Sequence, residues 1–241
     1  MSQTKNQRYQ RQKEVVNSKK WKHWRADIIG CGAVGRQVAV ILATIGFPRL
    51  VLYDGQTVEE ANLGAQGFAP PDLGKNKARA VADTLAPLLD EQGTQEIVVM
   101  DRHFTPQDAF QEGTPHVVFC MVDTMSGRKN IVQALDMATR PIDTQKTFYL
   151  ADTRVLTHNI QLHTITSPQE QEQYLKDLPK QSEIEQGRCS NKMTFYAAQL
   201  AASLAVGRFV IWLSTGKNPH PSIHYNIDTL RTIDMAKQQL I

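Results

Sequence analysis

With 241 residues, 41% hydrophobic and 21% charged, the chain is long enough to bury a substantial core, and its composition excludes a disordered or fibrous protein. The net charge of +3 is uneven: residues 1–25 carry eight Lys and Arg against Glu14, a local charge of +7, so the remainder is acidic. The three cysteines, Cys31, Cys120 and Cys189, form no C-x-x-C pair, which excludes a disulfide framework and a four-cysteine zinc site and fits a reducing cytoplasm.

The basic segment 1–25 suits either a polyanion contact or a solvated N-terminal helix. No groove-reading motif accompanies it, and no nucleic-acid partner is expected. The first strand is predicted near 26–29 and runs into Gly30-Cys31-Gly32-Ala33-Val34-Gly35. A helix follows over 33–45, with Val38, Ala39, Ile41, Leu42 and Ile45 close to one face. The next strand, 49–54, ends in Asp54. Further strands are predicted near 96–100, 116–122 and 147–151, and helices near 74–90, 106–111 and 126–139. Such alternation indicates parallel βαβ units. Asn159–Thr166 alternates as a half-exposed strand should. Residues 167–190 are polar, with Pro168 and Pro179, and predict a short helix and a long loop. Residues 192–214 form the strongest helical pattern. Lys192, Gln199 and Arg208 argue for a buried helix there, and no membrane association or signal peptide is expected. A closing strand is expected over 222–227, with His220 and His224 read as surface histidines.

Strand, glycine loop, helix, strand and acid in that order describe a nucleotide site. The glycines at 30, 32 and 35 let backbone approach a phosphate and let helix pack on strand, and the helix N-terminus presents free N–H groups. Asp54 is placed to accept hydrogen bonds from ribose hydroxyls. On these residues alone, an NAD-dependent oxidoreductase remains open.

Past Asp54 the chain departs from a dehydrogenase. Asp54-Gly55-Gln56-Thr57-Val58 leads to Asn62-Leu63-Gly64-Ala65-Gln66, then Leu73-Gly74-Lys75-Asn76-Lys77-Ala78. Asp123 and Arg128 follow the strand Val117–Val122, and Arg8-Tyr9-Gln10-Arg11-Gln12 stands at the N-terminus. Together these segments resemble the ThiF/MoeB/ubiquitin-activating-enzyme family of ATP-dependent adenylyltransferases. The resemblance implies a doubly wound Rossmann-like α/β sheet, parallel in its first half, with added antiparallel strands, a C-terminal crossover loop and a long helix. It divides the chain into a basic arm (1–25), a nucleotide-binding adenylation region (26–151) and an extension within the same domain (152–241).

The resemblance implies ATP and Mg²⁺ as cofactors. Gly30, Gly32, Gly35, Asp54, Asn62, Gln66, Lys77 and Asp123 would bind the nucleotide, Asp123 would hold the metal, and Arg11 would reach ATP across a homodimer interface. The activity implied is adenylation of the C-terminal carboxylate of a small ubiquitin-like or sulfur-carrier protein. Cys189, flanked by Arg188 and Lys192, would take the acyl group as a thioester for transfer to a ubiquitin-conjugating-like protein. Asn62–Phe68, Asp152-Thr153-Arg154, Tyr174 and Cys189 resemble a bacterial branch that accompanies ubiquitin-conjugating-like and JAB-type proteins. One position departs from the pattern. The family's phosphate-binding arginine is Ala65 here, with Arg8, Lys75 and Arg36 as candidate replacements, and a non-catalytic ATP-binding scaffold is the alternative it raises. Cys31 and Cys120 are expected in the core.

Overall fold

The computed structural model describes residues 7–16, 18–90, 93–108, 116–135, 148–179 and 194–241. Among these residues, nine strands form one sheet in the order β3-β2-β1-β4-β5-β6-β7-β8-β9. The strands β1 (Arg25–Ile29), β2 (Arg49–Tyr53), β3 (Glu96–Met100), β4 (His116–Cys120) and the start of β5 (Phe148–Leu156) pair in parallel. From β5 onward the pairing turns antiparallel through β6 (Asn159–Ile165), β7 (Ser222–Asn226), β8 (Arg231–Asp234) and β9 (Gln239–Leu240).

Helices cover both faces. Helices α1 (Ala33–Thr44), α3 (Lys77–Leu85) and α6 (Phe195–Thr215) pack on the face that carries Ala26, Ile28, Leu50, Leu52, Phe119 and Tyr149. Helices α4 (Met125–Ala134) and α5 (Pro168–Asp177) lie on the other, against Ile29, Val118, Cys120 and Leu150. A short helix, α2 (Glu60–Gln66), stands at the strand ends. Cys31 and Cys120 are both fully buried, as expected of small core residues.

Helix α6 is long and apolar enough by composition to cross a membrane, yet its small residues explain where it lies. Ala197, Ala198, Ala201, Ala202 and Ala205 are fully buried against α1 and the sheet, and Phe209 joins an aromatic cluster with Trp24, Phe47 and Tyr149. Lys20 donates to the carbonyls of Leu213 and Ser214, placing a cation at the negative end of that helix.

Several local expectations need correction. Among its described residues the N-terminal segment forms two single 3-10 turns, Gln7–Tyr9 and Ser18–Lys20, rather than a solvated helix. It is pinned to the body by Gln12 Nε2 on the Ile45 carbonyl at 2.8 Å and by fully buried Trp21. The helix expected over 74–90 starts at Lys77, because the Asn76 side chain accepts from the N–H groups of Ala78 and Arg79, and gives way to a 3-10 turn at Ala86–Leu88, where Pro87 lacks a donor. Near 106–111 only a 3-10 turn, Pro106–Asp108, falls within the described residues. Helix α2 was not expected, and strands β8 and β9 supply antiparallel strands that the fold implied without placing them.

Candidate functional site

The chain winds from β1 to β2 and β3 on one side of β1, then passes to β4 on the other. A crevice therefore opens at the carboxyl ends of β1 and β4, where the loops that follow them diverge. It forms a cleft of about 1320 Å³ that extends past β5 to β6 and β7.

The glycine loop builds its floor. Gly30 has φ +95°, and a Cβ there would stand 2.7 Å from the Met121 carbonyl oxygen, so the loops after β1 and β4 touch backbone to backbone. A Cβ on Gly35 would sit 1.8 Å from the Gly30 carbonyl oxygen, which is why α1 can press against the end of β1. Gly32 lines the cleft and precedes α1 without any side-chain cap, leaving the first-turn N–H groups for a ligand. Beside it the side-chain oxygen of Gln66 is buried with no hydrogen-bond partner among the described residues.

Asp54, at the end of β2, braces this loop. Its carboxylate accepts from the N–H of Cys31 and of Gln56, each at 2.8 Å, and keeps lone pairs for further donors. Gln56 and Asn76 then fix Lys77. The Asn76 amide donates to the Asp54 carbonyl at 2.7 Å, the Lys77 N–H donates to the Gln56 carbonyl, and Lys77 Nζ donates to Gln56 Oε1 at 2.8 Å. Lys77 is 6% exposed and lines the cleft, with no carboxylate of the described residues in salt-bridge reach. A cation held this way against neutral partners is arranged for an incoming anion.

The opposite wall comes from β4 and β5. Asp123 is exposed at the cleft and makes no ion pair with a described residue. It does not cap α4, and neither does Ser126. Thr124 does so, accepting from the Gly127 N–H at 3.1 Å. Buried Arg128 ties the loop to β5 by donating to the carbonyls of Val122 and Thr153 and to the Asp152 carboxylate. Asp152, fully buried, also accepts from Arg154 Nε at 3.0 Å and from the Tyr174 hydroxyl at 2.8 Å. No group of three or more His, Cys, Asp or Glu among the described residues could hold a metal unaided. A lone free carboxylate suits Mg²⁺, which takes one or two carboxylates and fills its remaining positions with water and phosphate oxygens.

Of the residues singled out in the sequence, Gly30, Gly32, Asp54, Gln66, Lys77 and Asp123 all line this cleft. Gly35 lies beneath it. Asn62 does not line it, because its side-chain oxygen closes a capping box on the Glu59 N–H at 2.9 Å. Arg11 is exposed outside the cleft. Cys189, Arg188, Lys192 and the loop that contains them lie outside the described residues. Arg8, Lys75 and Arg36 do not line the cleft either. Arg8 donates to the carbonyls of Leu88 and Leu89, Lys75 pairs with Asp72 and Asp83, and Arg36 stands over the Phe68 ring. His224 was misjudged as a surface histidine. It lies on β7 and lines the far end of the cleft. Gln56 and Asn76 received no role in the sequence, and the only hint was their position inside the matched segments, beside Asp54 and Lys77.

The fold and cleft together define a doubly wound α/β protein with its site at the switch point of the strand order. The chain belongs to the ThiF family, whose family model matches residues 6–239. It is 31% identical over 140 residues to ubiquitin-like modifier-activating enzyme 5 of Arabidopsis thaliana, an alignment covering 52% of this chain and 32% of the relative. The chain thus spans about a third of the length of that relative. Among solved structures, PaaA superposes with a TM-score of 0.69 at 16% identity, covering 96% of this chain and 84% of that one. Escherichia coli MccB, solved with ATP, gives 0.67 at 17% identity, covering 96% and 71%. These two likenesses establish the shared fold.

Proposed function

We propose that the chain binds ATP with Mg²⁺ and adenylates the C-terminal carboxylate of a small ubiquitin-like or sulfur-carrier protein. The observation that carries this reading is the convergence of Asp54, the uncapped start of α1, Lys77 and Asp123 on one cleft, although they come from four separate segments. Asp54 would accept from the ribose hydroxyls. Lys77 and the α1 N–H groups would neutralise phosphate charge. Asp123 would hold Mg²⁺, which supplies further charge neutralisation to the phosphates. A carboxylate oxygen of the carrier forms a bond to the α-phosphorus, the bond from that phosphorus to the bridging oxygen breaks, and pyrophosphate leaves. The cleft exceeds the ~300–1,000 Å³ usual for one small ligand, which leaves room for a chain terminus beside the nucleotide. Its extension along Asn159, Gln161 and His224 is where that terminus would lie.

In the same reading Arg11 acts on the partner's nucleotide in a homodimer. The Cys189 thiolate attacks the acyl adenylate to form a thioester as the acyl C–O bond breaks and AMP leaves. A ubiquitin-conjugating-like protein then receives the acyl group on its own thiol, freeing Cys189. The cytoplasm is the compartment that suits the free thiols Cys31 and Cys120. The names of the relatives support a small protein or peptide as substrate: one activates a ubiquitin-like modifier, and MccB was also solved with MccA. A second reading, an ATP-binding scaffold without turnover, is favoured by Ala65 in the cleft wall. Incubation with ATP and Gly-ended candidate carriers, followed by ATP–pyrophosphate exchange and a thiol-sensitive adduct, separates the possibilities. Exchange that survives Cys189→Ala while the adduct is lost supports adenylation followed by thioester formation. ATP binding with no exchange for any carrier supports the scaffold.

A further inference from the structure

The family's phosphate-binding arginine is absent at Ala65. Of the three candidate replacements, Arg8 and Lys75 are bonded elsewhere, and Arg36 stands over the Phe68 ring outside the cleft with its Nε buried and unpartnered among the described residues. Among the described residues, the arginines lining the cleft are Arg128 and Arg154. Arg128 is 4% exposed, its Nη1 and Nη2 donate to internal carbonyls and Asp152, and its Nε is buried with no partner among the described residues. Arg154 is different. Its Nε and Nη2 reach Asp152 Oδ2 at 3.0 and 2.9 Å, and Nη2 also reaches the Tyr174 hydroxyl at 3.2 Å, while Nη1 donates to no described residue. The guanidinium lies 5.6 Å from the centre of the Tyr174 ring, which holds its plane.

Two guanidinium groups share one carboxylate here, so the cluster keeps a positive charge beside the cleft. The neighbouring His163 reports the same field. Burial, then Arg154 and Arg128, push its pKa down to about 3. Arg154 stands on β5, the strand next to β4, and so on the opposite side of Asp123 from Asp54. That is the junction between a nucleotide anchored at β1 and β2 and a group arriving over β6 and β7.

We propose that Arg154 is the oxyanion-binding cation of this cleft, standing in for the arginine missing at position 65. The oxyanion is a phosphate oxygen of the nucleotide or the carboxylate that approaches it, two sources with the same chemistry for a guanidinium fork. The assignment rests on the adenylation reading.

The test measures binding of adenosine, AMP and Mg²⁺-ATP by calorimetric titration to the wild type, Arg154→Gln and Arg154→Lys. In parallel, a Gly-Gly-ended peptide with a free carboxylate is compared with its amide. Arg154→Gln should fold, because Arg128 and Tyr174 still compensate Asp152, and ligand-free thermal unfolding verifies this. Weakening of AMP and ATP by about tenfold with adenosine unchanged assigns the contact to phosphate. Loss confined to the preference for carboxylate over amide assigns it to the acyl group. Arg154→Lys should recover part of either loss, and Ala65→Arg in the Arg154→Gln background should recover at least half of a phosphate loss. Failure of the wild type to bind ATP would sink the adenylation reading itself. ATP binding by the wild type, with Arg154→Gln equal to it in both arms, would overturn the role of Arg154 alone.

Discussion

Replacing Lys77 by Met removes the one lysine that lines the cleft among the described residues while keeping a side chain of similar length. Its ammonium donates 2.8 Å to a neutral amide oxygen, is almost wholly buried, and meets no carboxylate among the described residues. The fold therefore loses a single hydrogen bond on substitution, whereas a bound phosphate loses a charge-assisted contact of roughly 1.5–3 kcal/mol, a weakening of about ten- to a hundredfold. Thermal unfolding with and without ATP reads the difference. At ATP near a hundred times the wild-type Kd, the wild type should gain about 2.7 kcal/mol of stability and Lys77→Met about 0.4–1.4 kcal/mol. For a domain of this size, that is a rise in Tm of about 5–11 °C against about 1–6 °C. Equal shifts for the two proteins at that concentration would refute an anion-binding role for Lys77.

The glycine loop separates packing from ligand contact. Gly35→Ala would drive its Cβ into the Gly30 carbonyl and force α1 away from β1, costing about 1–3 kcal/mol or more in urea unfolding. Gly32→Ala meets only the Gln66 amide at 3.5 Å, so its Tm should stay near wild type while ATP binding weakens. His163 is held neutral in the fold down to a pKa of about 3, against an ordinary value of 6.5, by burial and the nearby Arg154 and Arg128. Between those two pH values the unfolded chain binds the extra proton, so stability falls as pH drops, by up to about 1.4 kcal/mol per unit. Urea unfolding of His163→Gln at pH 5 and pH 7.5 should show a flatter dependence than wild type; an identical slope would count against it. If Arg11 completes the partner's site in the proposed homodimer, Arg11→Ala and Lys77→Met should each lose pyrophosphate exchange alone and regain part of it when co-expressed, because a mixed dimer would carry one site with both groups intact. No recovery would place Arg11 outside a shared site.

Much of the cleft was legible because its parts are local. Gly30 and Gly35 answer to one turn and one helix–strand contact, and Asp54 closes the strand that begins a few residues after α1. The alternation of apolar runs likewise carried the parallel half of the sheet, since a strand buried on both faces reads as a mostly apolar run, broken only where a polar residue such as Asp27 finds buried partners. Asn62 shows the limit of a motif: its side chain serves the start of α2 instead of the cleft. His224 shows another, because only the pairing of β7 with β6 turns this residue, three positions after Pro221, toward the site.

What the sequence by itself determined was the kind of cleft: a glycine loop, an acid after β2 and a lysine at the start of α3, each set by short-range geometry. What only the tertiary structure decided was how charge is compensated. Asp27 is fully buried in mid-strand and is held by Arg25, two residues away, and by His116, 89 residues away, at 2.6 Å. Asp152 depends in the same way on Arg128 and Tyr174. A buried carboxylate persists only with such partners, and which partners it meets is set by strand order and register, not by spacing along the chain.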